Sequence, residues 1–199
     1  MSLFNYHPAT VGVKQRRNDS FKIPLNLNIC EKIRGARNIS GQINTEADIK
    51  RLITADVLTK TVLARIVCTL FDPLLYFVQV RCILNLTYRK ALRMSGKIGW
   101  NQLVNPAILP DVHTAVKMVL EIRDIEIQRY RAHGIKGDEA HLCISTDGGI
   151  EASCCRLFLR YPSEKGIECR YLIGGCKLAS VGGSQAPKSE TEAGLMGLR

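Results

Sequence analysis

The chain has 199 residues, enough for one or two domains, and its apolar fraction of 46% is ordinary for a globular protein. Its net charge of +10 comes entirely from residues 1–100, which contain 16 Lys/Arg and 6 Asp/Glu, whereas residues 101–199 contain 12 of each. A surface of one sign over half of a molecule favours a polyanionic partner, either a phosphate backbone or an anionic membrane. Surplus lysine on a plain solvated face is the alternative interpretation.

The first part of the chain predicts short strands followed by a helix. Residues 11–14 and 19–23 have the pattern of two short strands, and residues 24–44, which are rich in Asn and Gly, are expected to be irregular. Thr45 and Asp48 have the spacing of a capping box, which predicts that a helix begins there.

Three further helices are predicted in the middle of the chain. Thr59 suits an N-cap, and the apolar residues after it recur on one face of a helix. Pro73 favours the first turn of a second helix over residues 74–94, and a third is expected over 111–123. Trp100, which lies between these two, is predicted to anchor on the helical core.

The last third predicts an antiparallel meander followed by a helix. Strands are expected over residues 141–147, 152–161 and 168–179, and short turns between them make neighbouring strands antiparallel. A glycine-rich loop then leads to a helix that begins at Glu190. A three-stranded sheet with one helix is a minimal layer, so its other face needs cover from elsewhere.

Signals for secretion or membrane insertion are weak. Residues 1–10 lack a basic start followed by an apolar core, and the most apolar stretch, 74–80, is far shorter than the ~18 residues of a membrane span. We therefore expect an intracellular protein, cytoplasmic or nuclear. The eight cysteines show no Cys-x-x-Cys pair and no zinc-like spacing, which predicts reduced, buried and structural thiols. Three of the four histidines, at 113, 133 and 141, share no spacing either, so surface or satisfied core roles are expected.

Two acidic residues have the positions of metal ligands. Asp147 ends the first strand of the meander, and Glu190 begins the helix that follows it, an order that resembles the first two carboxylates of ribonuclease-H-like folds. Divalent cations such as Mg²⁺ prefer such oxygen ligands, although hydrolysis by two ions needs more than two of these groups. A turn residue and a first-turn helix carboxylate are the alternatives, and Glu151 or Glu192 are alternative ligands.

Several motifs resemble the Pol polyprotein of BEL/Pao-type retrotransposons, a region also called the Pao retrotransposon peptidase family. They are residues 58–74 (Leu-Thr-Lys to Phe-Asp-Pro-Leu), Gly99-Trp100, Ile144-Ser-Thr-Asp147 and Pro187-Lys-Ser-Glu190. The resemblance covers nearly the whole chain and implies an α+β fold. Residues 1–135 would be a mostly helical, basic, thumb- and connection-like region of reverse transcriptase. Residues 136–199 would be the N-terminal half of an RNase H-like domain, a truncated antiparallel sheet with one helix.

The resemblance also implies a function and its partners. The chain would be a Pol fragment that contributes RNA–DNA hybrid binding and half of a two-metal site, in which Asp147 and Glu190 hold Mg²⁺ once the site is complete. The remainder of the Pol polyprotein and a nucleic-acid backbone would be its partners, and a membrane would not. Seven basic residues before the first strong helix would contact phosphates without reading bases. They are Lys14, Arg16, Arg17, Lys22, Lys32, Arg34 and Arg37.

Other features of the chain count against activity in isolation. It contains neither a Tyr-x-Asp-Asp polymerase motif nor an Asp-Thr/Ser-Gly peptidase motif, and no carboxylate follows Glu192. Gly148-Gly149 stands where the family tends to have Ala-Ser, and Leu75 where it usually has Gly. We therefore expect the isolated chain to be inactive. The alternative function is a non-catalytic, basic nucleic-acid-binding or interaction protein from a decayed retroelement.

Overall fold

The computed structural model describes residues 20–22, 27–32, 38–70, 72, 74–128, 139–163, 166–180 and 186–198. Within these residues the architecture is α+β, with five α-helices and a three-stranded antiparallel sheet, in agreement with the predicted fold class. Two short strand pairs accompany them. The strand predicted over residues 11–14 lies outside the described residues.

One of the two short strand pairs lies where the sequence predicts no strand. β1 (Ser20–Phe21) pairs antiparallel with β4 (Ile127–Gln128), within the predicted strand 19–23. The segment 24–44, predicted to be irregular, contains a hairpin of β2 (Asn28–Lys32) and β3 (Asn38–Gln42). That prediction was wrong because it rested on the Asn and Gly content of the segment and did not consider the burial of the apolar residues on either side of the hairpin.

Two apolar residues tie the hairpin to the rest of the protein. Leu27 and Ile43, immediately outside the paired strands, are both buried in the helical core. The amide of Ile43 donates to the carbonyl of Leu27 at 2.9 Å, which extends the pairing by one step. Burial of these two side chains favours the hairpin despite the low strand propensity of its Asn and Gly residues.

The first two helices begin at the predicted caps. α1 (Glu46–Leu52) starts after Thr45, whose hydroxyl accepts from the amide of Asp48 at 3.2 Å, while the Asp48 carboxylate accepts from the amide of Thr45 at 3.0 Å. α2 (Lys60–Cys68) starts after Thr59, whose hydroxyl accepts from the amide of Val62 at 3.2 Å. Both cap predictions are confirmed.

The third helix begins later than predicted. α3 (Val78–Ser95) starts four residues after Leu74, because the carboxylate of Asp72 accepts from the amides of Tyr76 and Phe77 at 3.0 and 2.8 Å. These bonds hold the chain in a turn, within which Leu75 has a φ of +52°. A residue in that left-handed region cannot belong to a right-handed helix.

A 3₁₀ turn (Pro106–Ile108) leads into α4 (Leu109–Ile122), close to the predicted bounds. The helices α1 to α4 enclose one apolar core. The ring of His113 is hydrogen-bonded, since its Nε2 donates to the carbonyl of Ile53 at 2.8 Å. Trp100 is 59% exposed and carries Lys60 over its ring at 4.5 Å, so the predicted anchoring of this residue was wrong. The largest fully buried side chains include Ile43, Ile49, Ile53, Leu58, Leu63, Leu84 and Ile108.

The predicted meander is present in the order β5-β6-β7, with both neighbouring pairs antiparallel. Its strands are β5 (His141–Gly148), β6 (Ala152–Ser163) and β7 (Gly166–Leu178), and α5 (Ala186–Leu198) packs on β5 and β6. α3 packs on β7 and supplies the cover that the second face of the sheet requires. Among the described residues, no helix combines the length and the apolar character needed to cross a bilayer.

The turn before α3 is hydrogen-bonded to the sheet. The amide of Gly174 in β7 donates to the carbonyl of Leu74 at 2.9 Å, and the Tyr171 hydroxyl donates to the same carbonyl at 2.9 Å. A Cβ at Gly174 would lie 2.9 Å from the carbonyl oxygen of Leu75, so only glycine fits here. The helical core and the sheet are therefore joined by backbone contacts at this point.

Candidate functional site

The two faces of the sheet differ in what covers them. Side chains alternate between the faces of a strand, so Ile144 and Thr146 share one face of β5 while Ser145 and Asp147 share the other. A Cβ on Gly197 of α5 would lie 2.5 Å from Cγ2 of Ile144, which identifies the first face as the one that α5 covers. The other face is turned toward α3.

Asp147 therefore lies on the α3 face, at the end of β5. It pairs in register with Cys154 of β6 and is exposed to solvent. It lines a groove of about 230 Å³ together with Val78 and Gln79 of α3 and Arg156 of β6. Its exposed carboxylate is an oxygen ligand of the kind that Mg²⁺ prefers.

Glu190 lies on α5, on the other side of the sheet, and is exposed. Two residues further along, Glu192 pairs with Lys177 near the end of β7 at 3.5 Å. Lys177 is in register with Ser153, which is in register with Gly148, so the first half of α5 lies toward the end of the sheet at which Asp147 sits. The two predicted carboxylates thus share one end of the sheet and lie on opposite sides of it.

The alternative ligands named from the sequence are both paired with cations. Glu192 contacts Lys177, as above, and Glu151 contacts Arg93 of α3 at 3.8 Å. An acid that neutralises a neighbouring cation is less available to a metal ion. The role of Asp147 and Glu190 as metal ligands stays a prediction.

Of the seven predicted phosphate-binding residues, only Lys22 has a described side chain. It is exposed and lies 3.9 Å from Asp124. Lys32 belongs to β2, and its side chain lies outside the described part of the protein. The other five, at positions 14, 16, 17, 34 and 37, fall outside the described residues as well. Their contacts with nucleic acid stay predictions.

A second basic site, between α3 and α4, was not singled out from the sequence. It is a cavity of about 320 Å³ lined by Arg89, Lys90 and Arg93 of α3. Lys90 pairs with Asp111 of α4 at 2.5 Å, and Arg93 pairs with Glu151, so two of these three cations are held by acids. The signal was available in the sequence, because residues spaced i, i+1 and i+4 share one side of a helix.

Three cysteines converge on the α3 face of the sheet. The sulfur atoms of Cys82 on α3, Cys154 on β6 and Cys176 on β7 all lie within 4.8 Å of one another. Hydrogen bonds from Cys154 and Cys176 hold the pKa of the Cys82 thiol well below its usual range. The pKa of Cys176 is raised, because its thiol donates to Cys154 and Cys82 and is half-buried. Sequence spacing could not reveal this cluster, since its members come from three separate elements.

The burial predicted for the cysteines was largely wrong. The seven cysteines whose side chains are described are free thiols, and Cys155 is the buried one among them, whereas Cys68 and Cys169 are exposed. An apolar neighbourhood in sequence does not guarantee burial, because successive residues of a strand point to opposite faces and the helices cover each face only in part.

The comparison with protein families decides the identity of the fold. Residues 59–199 match the family described as the Pao retrotransposon-like RNaseH-like domain. The chain belongs to this family. No significant match is found among curated proteins or among solved structures.

Membership of the Pao retrotransposon family confirms the resemblance to a BEL/Pao-type Pol region. The match begins at Thr59, the cap of α2, and continues through the helical core, the sheet and α5. It therefore crosses the boundary expected between residues 1–135 and 136–199, and that division stays a prediction. The description of the family names an RNaseH-like domain, which agrees with the lack of a peptidase motif in the sequence.

Proposed function

We propose that this Pol region binds the phosphate backbone of an RNA–DNA hybrid or duplex and contributes Asp147 and Glu190 as ligands of Mg²⁺. Membership of the Pao RNaseH-like family is the observation that carries the proposal. The excess of positive charge in residues 1–100 supports it, because phosphate contacts supply most of the sequence-independent affinity for nucleic acids.

The Asp147 and Glu190 side chains suit Mg²⁺ in chemistry. Both are exposed carboxylates toward one end of the sheet, and Mg²⁺ is usually bound by one or two carboxylates together with phosphate oxygens and water. The ion would neutralise charge on the scissile phosphate. Asp147 would hold it from the end of β5, and Glu190 would reach it around the end of the sheet from α5.

Catalysis requires more ligands than this pair. Two ions on either side of a phosphate need additional carboxylates. Among the described residues, one group of three side chains lies close enough together to bind a metal ion. All three are cysteines, and the group includes neither Asp147 nor Glu190. The proposed contribution to hydrolysis is therefore partial, and it depends on other parts of the Pol polyprotein.

Backbone binding by the basic first part predicts a strong dependence on salt. The plot of log K against log[salt] for an RNA–DNA hybrid has a negative slope. We expect the variant Lys14→Ala/Arg16→Ala/Arg17→Ala to reduce the magnitude of this slope by roughly 2 to 3, because each lost phosphate contact contributes about 0.9 in duplex DNA. Fluorescence anisotropy of a labelled hybrid over a range of salt concentrations measures the slope.

The matched control removes the same charge from the second half of the chain. The variant Lys117→Ala/Arg170→Ala/Lys188→Ala changes three exposed basic residues and is expected to leave the slope close to that of the wild type. An equal loss of slope in both variants would show that net charge, and not the first part of the chain, determines binding.

Metal binding by the carboxylate pair makes a separate prediction. At constant ionic strength we expect Mn²⁺ to increase the affinity for the hybrid, and Asp147→Asn or Glu190→Gln to weaken the binding of Mn²⁺ by at least about tenfold. Electron paramagnetic resonance of free Mn²⁺ measures this, and Glu121→Gln on the exposed side of α4 is the control. Wild-type Mn²⁺ binding in both site variants would remove these residues from the metal site.

One observation favours the alternative of a non-catalytic binding or interaction module. Asp147 and α5 lie on opposite sides of the sheet, which lengthens the reach that a shared ion requires. The two functions differ in outcome: salt-dependent hybrid binding that is unaffected by metal and by both carboxylate variants supports the non-catalytic module.

A further inference from the structure

The cluster of Cys82, Cys154 and Cys176 has the geometry of a metal site. Cys154 and Cys176 are direct partners in the register of β6 and β7, so their side chains stand next to each other on one face. Cys82 approaches the same point from α3, and all three sulfur atoms lie within 4.8 Å of one another. Each of the three residues is partly buried.

The spacing of the sulfur atoms is close to that around a single ion. Zinc binds thiolate sulfur at about 2.3 Å, so two sulfur ligands in a tetrahedral site lie about 3.8 Å apart. The sulfur atoms of the cluster need to approach by no more than about 1 Å to reach that separation. Rotation about the side-chain bonds of three residues supplies such a shift without moving the backbone.

The chemistry of the ligand set selects a soft ion. Thiolates favour Zn²⁺ and other thiophilic metals, whereas Mg²⁺ favours oxygen ligands. Glu151, the carboxylate whose charge acts on the Cys82 thiol, is already paired with Arg93 at 3.8 Å, which leaves the fourth position to water. A site with three protein ligands and one water is a common arrangement for zinc.

We propose that Cys82, Cys154 and Cys176 bind one thiophilic divalent ion of the Zn²⁺ type, which links α3 to the three-stranded sheet. The ion replaces the thiol protons, and these are released to solvent as the sulfur–metal bonds form. Since the three cysteines come from two layers of the fold, binding stabilises their packing against each other. This soft-metal site is separate from the oxygen-ligand site proposed for Mg²⁺.

The position of the cluster gives it a second consequence. Cys154 lies opposite Asp147 in the register of β5 and β6 and also lines the groove that contains Asp147. An ion on Cys154 therefore holds one wall of that groove in place. Val78 and Gln79 of α3 form the opposite wall, and the link from Cys82 fixes the helix that carries them.

Titration of the reduced 199-residue chain with Co²⁺ tests the proposal. We expect one equivalent to produce the near-ultraviolet charge-transfer absorption of thiolate–cobalt bonds, and Zn²⁺ to displace it. Loss of a residue that only hydrogen-bonds to a metal ligand typically weakens metal binding by roughly 10- to 100-fold. Each of the variants Cys82→Ser, Cys154→Ser and Cys176→Ser removes a ligand itself and is expected to weaken Co²⁺ binding by more than that. The controls Cys143→Ser and Cys169→Ser retain wild-type binding.

A second measurement on the wild type guards against misfolded variants. Counting thiols with a chromogenic disulfide reagent, before and after addition of Zn²⁺, is expected to show three thiols protected by the ion. Protection of no thiols, or charge-transfer absorption that persists in all three cluster variants, overturns the proposal. Equal loss of binding in the two control variants overturns it as well, because the metal would then be held elsewhere.

Discussion

Replacing Leu84 by alanine is expected to lower the free energy of unfolding by about 2–5 kcal/mol, the range for truncation of a fully buried leucine. Leu84 is 1% exposed and lies near the middle of α3, the helix that packs on α2, on α4 and on β7. The truncation leaves a cavity among side chains that cannot collapse into it without moving a helix. Equilibrium unfolding in urea, followed by circular dichroism, measures the change.

The same substitution at Leu103 provides the control. Leu103 is 49% exposed, outside the apolar core, so Leu103→Ala is expected to change the free energy of unfolding by less than about 0.5 kcal/mol. If the two variants were destabilised alike, the helical core would not be organised around α3. The conclusion that α3 packs both in the helical core and on the sheet would then be wrong.

Two glycines of α5 are expected to respond in opposite directions to alanine. Gly197→Ala places a Cβ 2.5 Å from Cγ2 of Ile144 and is expected to cost about 1–3 kcal/mol, the usual range for overpacking. Alanine in a helix normally gains up to ~1 kcal/mol over glycine. The clash outweighs that gain, because Cγ2 is attached directly to the branched Cβ of Ile144 and has little freedom to move away.

Gly194 lies about one turn earlier on the same helix, and a Cβ added to it would meet no atom within 4 Å beyond its chain neighbours and the backbone of its own helix. Gly194→Ala is therefore expected to stabilise the protein by about 0.5–1 kcal/mol, through helix propensity alone. Thermal unfolding of the two single variants side by side measures the contrast. Stabilisation by both substitutions would place α5 away from β5 and would move Glu190 with it.

This contrast bears on the proposed function through the position of α5. The contact of Gly197 with Ile144 brings the last turn of the helix over β5, and the ion pair of Glu192 with Lys177 brings its first half toward the end of the sheet. Glu190 owes its place near the Asp147 end of the sheet to these two contacts. The metal proposal and the stability prediction therefore depend on the same packing.

Features that depend on a few neighbouring residues could be predicted. The caps at Thr45 and Thr59 need only a hydroxyl and the amide three residues later, so their sequence pattern was sufficient. The three strands of the meander were recognised from short turns between apolar runs. The family resemblance rested on motifs within continuous segments, and the match over residues 59–199 confirms it.

Features that depend on distant residues were predicted less well. The start of α3 was placed at Leu74 because the proline rule is local, while the Asp72 carboxylate and the bond from Gly174 to Leu74 hold that segment in a turn. Trp100 was expected in the core from its apolar character, although its ring lies in solvent beneath Lys60.

The amino-acid order alone specified the helix caps, the meander, the location of the positive charge and the family, because each of these is encoded within short stretches or in totals. The three-dimensional packing settled which face of the sheet each side chain occupies. It placed Asp147 on the face of the sheet that α5 does not cover, and it brought the sulfur atoms of three cysteines from α3, β6 and β7 to within 4.8 Å of one another. Strand register and helix docking join residues far apart in the chain, and no local pattern contains that information.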